Sequence, residues 1–274
     1  MKAYLYRSKI LLEFIVILIV SGLVSVMIWK LFLLKNKSNI EDYQLLAAIE
    51  PDQIILYQKN KSNSWKDYMA IIAACKNITA ADREDLQQKL FSQLDKQISF
   101  KNLNWADTDK DIRKTAQNFR ELLNHYSIFD HGKYGFPLKQ TSYYTDTYGA
   151  DREGGARVHQ GTDLFNKKGT PIYNVCPGTI EKMGWNRLGG ERVGVRGDDG
   201  NYYYYAHLDS INSQLVIGKR INIGDLIGKM GNTGDAISTP DHLHFGIELP
   251  NGEWLNPYPF LKVWEYHSTI QFNN

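Results

Sequence analysis

The sequence predicts a mainly β domain that is preceded by a small α-helical region and an N-terminal transmembrane helix. Three observations lead to this prediction: an apolar run near the N-terminus, apolar residues at helical spacing over 39–130, and a remainder rich in glycine, aromatic residues and hairpin signals. At 274 residues the chain has room for one or two domains. Its hydrophobic content of 43% and charged content of 23% are those of an ordinary globular protein.

The first element is the apolar run over 10–34, which contains only Glu13 and Lys30 as charged residues. A helix needs about 20 apolar residues to span a bilayer, so this run is long enough. A cleaved signal peptide has a shorter apolar core, of roughly 7–15 residues, and no Ala-x-Ala-like site precedes Lys35. We therefore expect an uncleaved single-pass anchor with residues 1–9 as its tail. Positive charges flank both ends and favour a cytoplasmic N-terminus only slightly.

Charge and cysteine content exclude two classes of site. Residues 1–38 contain six Lys/Arg residues and one acidic residue, so residues 39–274 carry a net charge of −3 although the whole chain has +2. No nucleic-acid-binding patch is implied for the body of the protein. The two cysteines, Cys75 and Cys176, are too few for a disulfide scaffold or a four-cysteine zinc site. We expect both to be small buried apolar residues.

The second element is a helical region over 39–130. One helix is predicted where Leu86, Leu90, Leu94 and Ile98 recur every four residues, after a capping-box sequence at Thr79–Asp82. A further helix is predicted with Asp107 or Thr108 as its N-cap, and apolar clusters at Tyr43–Tyr57 and Trp65–Ala74 predict two more. Such stripes normally pack against each other, which favours a small bundle that serves as a stalk or spacer. The alternative is that the region shapes a substrate cleft or contacts a partner. The apolar residues of that further helix are Ile112, Ala116, Phe119, Leu123 and Tyr126.

The third element is a β domain over 135–262. Glycine, β-branched and aromatic residues are frequent beyond residue 131, and no long helical period is found there. The runs Arg192–Arg196 and Tyr202–Ala206 flank the turn sequence of Gly197–Asn201, which predicts a hairpin. Other short runs between glycine, proline and asparagine predict further strands. These runs are Thr179–Met183, Leu226–Met230 and Leu243–Glu248.

Three histidine-bearing segments lie in this β domain: His159–Asp163 (HQGTD), Tyr205–Leu208 (YAHL) and His242–His244 (HLH). Side chains at i, i+2 and i+4 of a strand point the same way. His159 and Asp163 would thus share a face if their segment is extended, with Gly161 leaving the space above it open. One histidine of the third segment could complete a set of two histidines and one aspartate. Three protein ligands plus water are typical of a catalytic zinc site.

Other histidines and tyrosines are less specific. We expect His125, His131 and His267 to be surface or linker residues, since no comparable motif surrounds them. Tyr204 alternates with Tyr203 and Tyr205, so one of these two sets would lie on the side of the site.

The three segments together resemble the lysostaphin/LytM family of zinc endopeptidases, which cut bacterial peptidoglycan. The resemblance covers about 135–260 and includes Gly169–Tyr173 and Gly228–Gly234, where that family has comparable strands and turns. It implies a compact antiparallel β-sheet of the duplicated-hybrid-motif type with one zinc ion in a groove. It also implies that His159, Asp163 and His244 bind the zinc, and that His207 and His242 are the catalytic pair beside it.

The resemblance further implies a peptidoglycan peptide as substrate and a domain held outside the cytoplasm by its anchor. The helical region behind an anchor is similar to the layout of sporulation-associated L-Ala–D-Glu endopeptidases. L-Ala–D-Glu, D-Ala–diamino acid and bridge-peptide bonds all fit the same chemistry. The alternatives are a catalytically inactive scaffold of this fold that binds a cell-envelope partner protein, and a zinc peptidase that acts on ordinary proteins. No nucleic acid is expected as a partner.

Overall fold

The computed structural model describes residues 21, 22, 24, 25, 27, 40–106 and 108–272. The chain divides into two compact units, Met1–Tyr43 and Gln44–Asn274. In the first unit the described residues are helical. Within the described part of the chain, no helix has both the length and the apolar character needed to cross a bilayer. The predicted anchor over 10–34 lies outside the described residues, apart from the five at 21–27.

The second unit begins with α-helices, as the sequence predicts for this region. Residues 44–47 are helical, and four longer helices follow. The second and fourth of these pack closely against each other. Their buried faces carry the apolar stripes that predicted them, for example Ala116, Phe119 and Leu123. The four helices are α1 (Pro51–Asn60), α2 (Trp65–Ala74), α3 (Ala80–Asp95) and α4 (Lys110–His125).

The predicted N-cap is correct for α3 and wrong for α4. The capping sequence before α3 is confirmed, because the Asp82 backbone N–H donates to the Thr79 hydroxyl at 3.2 Å. The predicted N-cap of α4 at Asp107 or Thr108 is wrong. The Asp109 carboxylate caps this helix, accepting a hydrogen bond of 2.8 Å from the Asp111 backbone N–H. Several residues near 107–109 can cap a helix, and propensity alone does not choose between them.

The β region contains a small ribbon and one large antiparallel sheet. The ribbon is formed by β1 (Asp151–Arg152) and β2 (Arg157–Val158). The sheet has nine strands, and six of them lie in the order β11-β10-β7-β6-β5-β8, while β3 pairs with β10, β9 with β7, and β4 with β9. The nine strands are β3 (Thr162–Phe165), β4 (Pro171–Tyr173), β5 (Gly178–Asn186), β6 (Gly190–Gly197), β7 (Tyr202–Ile211), β8 (Arg220–Ile221), β9 (Leu226–Met230), β10 (His242–Glu248) and β11 (Trp254–Leu255).

The predicted hairpin is confirmed as β6 and β7, which pair Arg196 with Tyr202 across the turn. The runs that predicted further strands correspond to β5, β9 and β10. On the buried face of the sheet, Tyr203, Tyr205 and Phe245 are fully buried and pack together, with the Tyr205 and Phe245 ring centroids 5.4 Å apart. This core fixes the register of the strands that carry the histidines.

The last helix is α5 (Tyr258–Phe272), which the sequence does not predict. The expectation that no long helical period follows residue 131 is therefore wrong. No one-sided apolar stripe marks α5, because its apolar and aromatic residues lie around much of the helix: Tyr258 and Phe260 point in nearly opposite directions, and so do Leu261 and Val263. The Trp264 indole N–H donates to the Ile128 carbonyl at 2.7 Å, and its ring stacks on Tyr134 with centroids 5.1 Å apart.

His267 on α5 is also a correction. We expected a surface residue, but its side chain is only 4% exposed and hydrogen-bonds to the Gln58 side chain at 2.8 Å. His125 and His131 are exposed, as expected. The expectation for the cysteines is confirmed, since Cys75 and Cys176 are both free thiols in buried positions.

The burial of His267 predicts a loss of stability in acid. Burial, together with the nearby His131, lowers the pKa of His267 from 6.5 to about 4. The unfolded chain therefore binds a proton near pH 6.5 while the folded chain does not, so the free energy of unfolding falls as the pH is lowered from 6.5 to 4. His267→Gln should flatten this dependence by about 2 kcal/mol in urea unfolding. His125→Gln, at an exposed histidine, is the control; equal pH dependence in His267→Gln and the unchanged protein would contradict this prediction.

Candidate metal centre

Three side chains bring ligand atoms together on one side of the sheet. His159 Nε2, Asp163 Oδ1 and His244 Nδ1 form a triangle with sides of 2.9–3.0 Å. These groups could hold a metal ion, because all three ligand atoms lie within 4.8 Å of one another. Zinc in a tetrahedral site, with bonds of about 2.0–2.1 Å, needs donors about 3.3 Å apart, so a small opening of the triangle would suffice. Two imidazoles and one carboxylate are a typical donor set for catalytic zinc.

Strand pairing positions two of the three donors. β3 and β10 are antiparallel neighbours that place His244 directly opposite Asp163. His159 lies before β3 in an irregular segment, so it does not reach the site through strand periodicity. Instead, its Nδ1–H donates to the Thr147 carbonyl at 2.9 Å, which leaves Nε2 free of hydrogen and turned toward Asp163.

The surroundings of Asp163 and His244 set the protonation states of these two side chains. Burial alone would raise the pKa of the Asp163 carboxyl, but the adjacent His159 and His244 imidazoles lower it far below its usual range. Its second oxygen, Oδ2, accepts a hydrogen bond of 2.8 Å from the Arg152 guanidinium. Burial lowers the pKa of His244, against the opposing effect of Asp163. Asp163 is therefore held as a carboxylate and His244 is favoured as a neutral ligand.

Gly161 is required by the close approach of β10. A Cβ at this position would lie 2.5 Å from His244 Cε1 and 2.6 Å from the Phe245 carbonyl oxygen. The space above Gly161, which we expected to be open, is thus occupied by the His244 ring.

Gly161→Ala is expected to weaken metal binding. The added methyl group has to displace the His244 ring or the β10 backbone, which misplaces a ligand. We expect the zinc affinity to fall at least about tenfold, within the range found when groups that orient metal ligands are changed. Competition with a zinc chelator measures this. Gly132→Ala is not a clean control, since Gly132 has a positive φ of 74°; Ser210→Ala, on the exposed part of β7, is suitable. Unchanged zinc affinity in Gly161→Ala would contradict the argument.

His207 reaches the site through a break in strand periodicity. Strict alternation along β7 would place it with Tyr203 and Tyr205, on the buried face. However, the pairing of β6 and β7 shifts register between Glu191 and Val193, so that two residues of β7 lie opposite one of β6. His207 has a φ of +62°, which is rare for a residue with a Cβ. This bulge turns its imidazole to the side of the metal centre.

His207 and His242 face each other beside the three ligands, with ring centroids 4.9 Å apart. Each Nδ1–H donates to a backbone carbonyl at 2.8 Å, that of Thr233 for His207 and that of Pro240 for His242. In both rings the lone pair is therefore on Nε2. Burial, and then the neighbouring His244 and His242, lower the pKa of His207 to about 4. His242 Nε2 lies 3.9 Å from Asp163 Oδ1.

These residues line one groove. The structure brings all five predicted site residues, His159, Asp163, His207, His242 and His244, to its walls and floor. Tyr204, rather than Tyr203 or Tyr205, is the tyrosine on this side of the sheet. Several groove residues were not identified from the sequence, because contacts distant in the chain bring them there and no local motif marks them. They are Arg152, Arg157, Leu188, Asp235, Thr239 and Trp254.

Comparisons with known proteins agree with this geometry. The sequence pattern of peptidase family M23 matches residues 157–257. The L-Ala–D-Glu endopeptidase of Bacillus subtilis (strain 168) is 40% identical over 158 residues, which cover 54% of this chain and 48% of that protein. Glycyl-glycine endopeptidase ALE-1 of Staphylococcus capitis is 37% identical over 123 residues, which cover 42% of this chain and 33% of that protein. The chain thus spans about half the length of the first of these relatives and a third of the second.

One solved structure is similar over most of the chain. It is a protein from Ruminococcus gnavus that has been assigned as a lytM glycyl-glycine endopeptidase, with 27% sequence identity and a TM-score of 0.52. The likeness covers 82% of this chain and 90% of that structure. This share is larger than the β region alone, so part of the helical region has a counterpart there too.

Proposed function

Because the chain belongs to peptidase family M23, we propose that it is a zinc metalloendopeptidase that hydrolyses amide bonds in peptidoglycan peptides during cell-wall remodelling. One observation carries the proposal: the ligand atoms of His159, Asp163 and His244 converge within 4.8 Å, with His207 and His242 beside them in the same groove. Their donor set fits one zinc ion per chain.

The protein's own residues would divide the reaction as follows. Zinc, when bound, supplies a Lewis acid and lowers the pKa of water from about 15.7 to about 7. His159, Asp163 and His244 hold it, and Arg152 orients the Asp163 carboxylate. His207 and His242 present Nε2 lone pairs to the groove, where one can take the proton of the attacking water and return it to the leaving amine.

We propose the L-Ala–D-Glu bond as the bond that is cut. The support is the relative of that name, which has the higher identity and the longer match of the two reported above. We further propose that the enzyme acts during sporulation or germination. Residues 10–34 are proposed as a single-pass membrane anchor that holds the peptidase outside the cytoplasm, where peptidoglycan lies. Their apolar sequence and the location of the substrate support this arrangement.

The test is digestion of purified peptidoglycan by the zinc-loaded protein, with fragments identified by mass spectrometry. We expect new N-terminal D-Glu and new C-terminal L-Ala. A control with His242→Ala excludes contaminating hydrolases. Cleavage at another peptide bond would refute the proposal of the L-Ala–D-Glu bond, while the proposal of a peptidoglycan endopeptidase would stand. Intact peptidoglycan after incubation with zinc-loaded protein would favour the inactive scaffold instead.

A further inference from the structure

An ion pair joins the two walls of the groove on one side of the metal centre. Arg157 Nη2 lies 2.5 Å from Asp235 Oδ2, and the side chains are 36% and 40% exposed. Arg157 is on β2, two residues before His159. Asp235 is two residues after Thr233, whose carbonyl holds the His207 imidazole. The ion pair therefore lies on the His207 side of the groove.

The other end of the groove is aromatic. Tyr204 lies opposite Gly246, two residues along β10 from His244 and away from His242. Trp254 covers Gly246, where an added Cβ would lie 2.5 Å from its ring. The Tyr204 and Trp254 ring centroids are 5.9 Å apart. Along β10 the order is thus aromatic pair, metal ligand His244, then His242.

This order determines in which direction a substrate peptide must lie along the groove. The leaving amine of a hydrolysed amide needs a proton, and His207 and His242 are the imidazoles placed to supply it. The residue that contributes the leaving nitrogen must therefore bind at the end with His207 and His242, beside Arg157 and Asp235. The residue that contributes the carbonyl binds toward Tyr204 and Trp254.

The chemistry of the leaving residue matches a guanidinium. In an L-Ala–D-Glu bond this residue is glutamate, which has two carboxyl groups. Chain extension uses at most one of them, so a free carboxylate remains near the leaving nitrogen. Arginine is the side chain best suited to bind a carboxylate, because its planar N–H donors match the two oxygens. Exchange of one exposed carboxylate partner for another is easy, since an exposed ion pair contributes little stability.

We propose that Arg157 forms a carboxylate-binding subsite that recognises the free carboxylate of the residue on the leaving-amine side, and that this carboxylate takes the place of Asp235. The proposal rests on the proposed function, in particular on the L-Ala–D-Glu bond. It makes Arg157 a specificity-determining residue, which a glycyl-glycine bond would not need.

Two muramoyl peptides that differ only in this group test the subsite. One carries the free glutamyl carboxylate and the other carries a carboxamide in its place. For the zinc-loaded full chain we expect kcat/KM to be about tenfold higher for the carboxylate peptide, mainly through a lower KM, as expected for one charge-assisted contact. Arg157→Gln should hydrolyse the two peptides at similar kcat/KM.

Arg220→Gln is the matched control, because Arg220 forms an exposed ion pair with Asp198 outside the groove. It should keep the preference for the carboxylate peptide. Equal hydrolysis of both peptides by the unchanged protein, or a preserved preference in Arg157→Gln, overturns the subsite while the proposed function stands. If neither peptide is cut although peptidoglycan is digested at another bond, the proposed bond and the subsite both fail.

Discussion

Replacement of His159, Asp163 or His244 by alanine is expected to remove zinc and activity together. Each supplies one of three donors whose atoms lie 2.9–3.0 Å apart, and an ion left with two of these donors is held far more weakly. Loss of several kcal/mol of transition-state stabilisation by the metal lowers the rate by about 10³-fold or more. Zinc content by mass spectrometry and hydrolysis of peptidoglycan are measured on the same preparations.

The control for these variants is His125→Ala, at an exposed histidine of α4. It should keep both zinc and activity, and circular dichroism should show that every variant is folded. Full zinc occupancy in any of the three alanine variants would exclude that residue from the ligand set.

The second large effect is expected at His207 and His242, where alanine should abolish turnover and leave zinc in place. Their Nδ1 atoms are engaged by backbone carbonyls, and their Nε2 atoms face the groove beside the ligands. Loss of a positioned acid or base costs about 10²–10⁴ in rate. Single-turnover kinetics with zinc-loaded protein measures this loss separately from metal binding. Zinc lost equally in all five variants would contradict the division of roles.

Part of the site could be predicted from strand periodicity, because Asp163, His242 and His244 lie on the regular strands β3 and β10. Alternation in β10 places His242 and His244 on one face with the fully buried Leu243 between them. Capping and turn residues likewise predicted α3 and the β6–β7 hairpin. In these segments local preference and tertiary structure agree.

The remainder depends on contacts that no local pattern encodes. A bulge turns the His207 side chain to the face opposite the one that strand alternation predicts. The His159 side chain is oriented by a hydrogen bond to the Thr147 carbonyl and not by an extended strand. Arg152 and the Arg157–Asp235 pair depend on how the ribbon folds over the groove. In α5 the apolar and aromatic residues are spread around the helix, so the one-sided apolar stripe on which helix prediction relies is absent.

The central claim is that two histidines and one aspartate hold a single zinc ion while the other two histidines do not. Anomalous diffraction at the zinc edge from crystals of the zinc-loaded protein tests this most directly. We predict one peak bonded to His159 Nε2, Asp163 Oδ1 and His244 Nδ1, with His207 and His242 outside bonding distance. A peak bonded to either of the latter two, or zinc at another position with this triangle intact, would contradict the account.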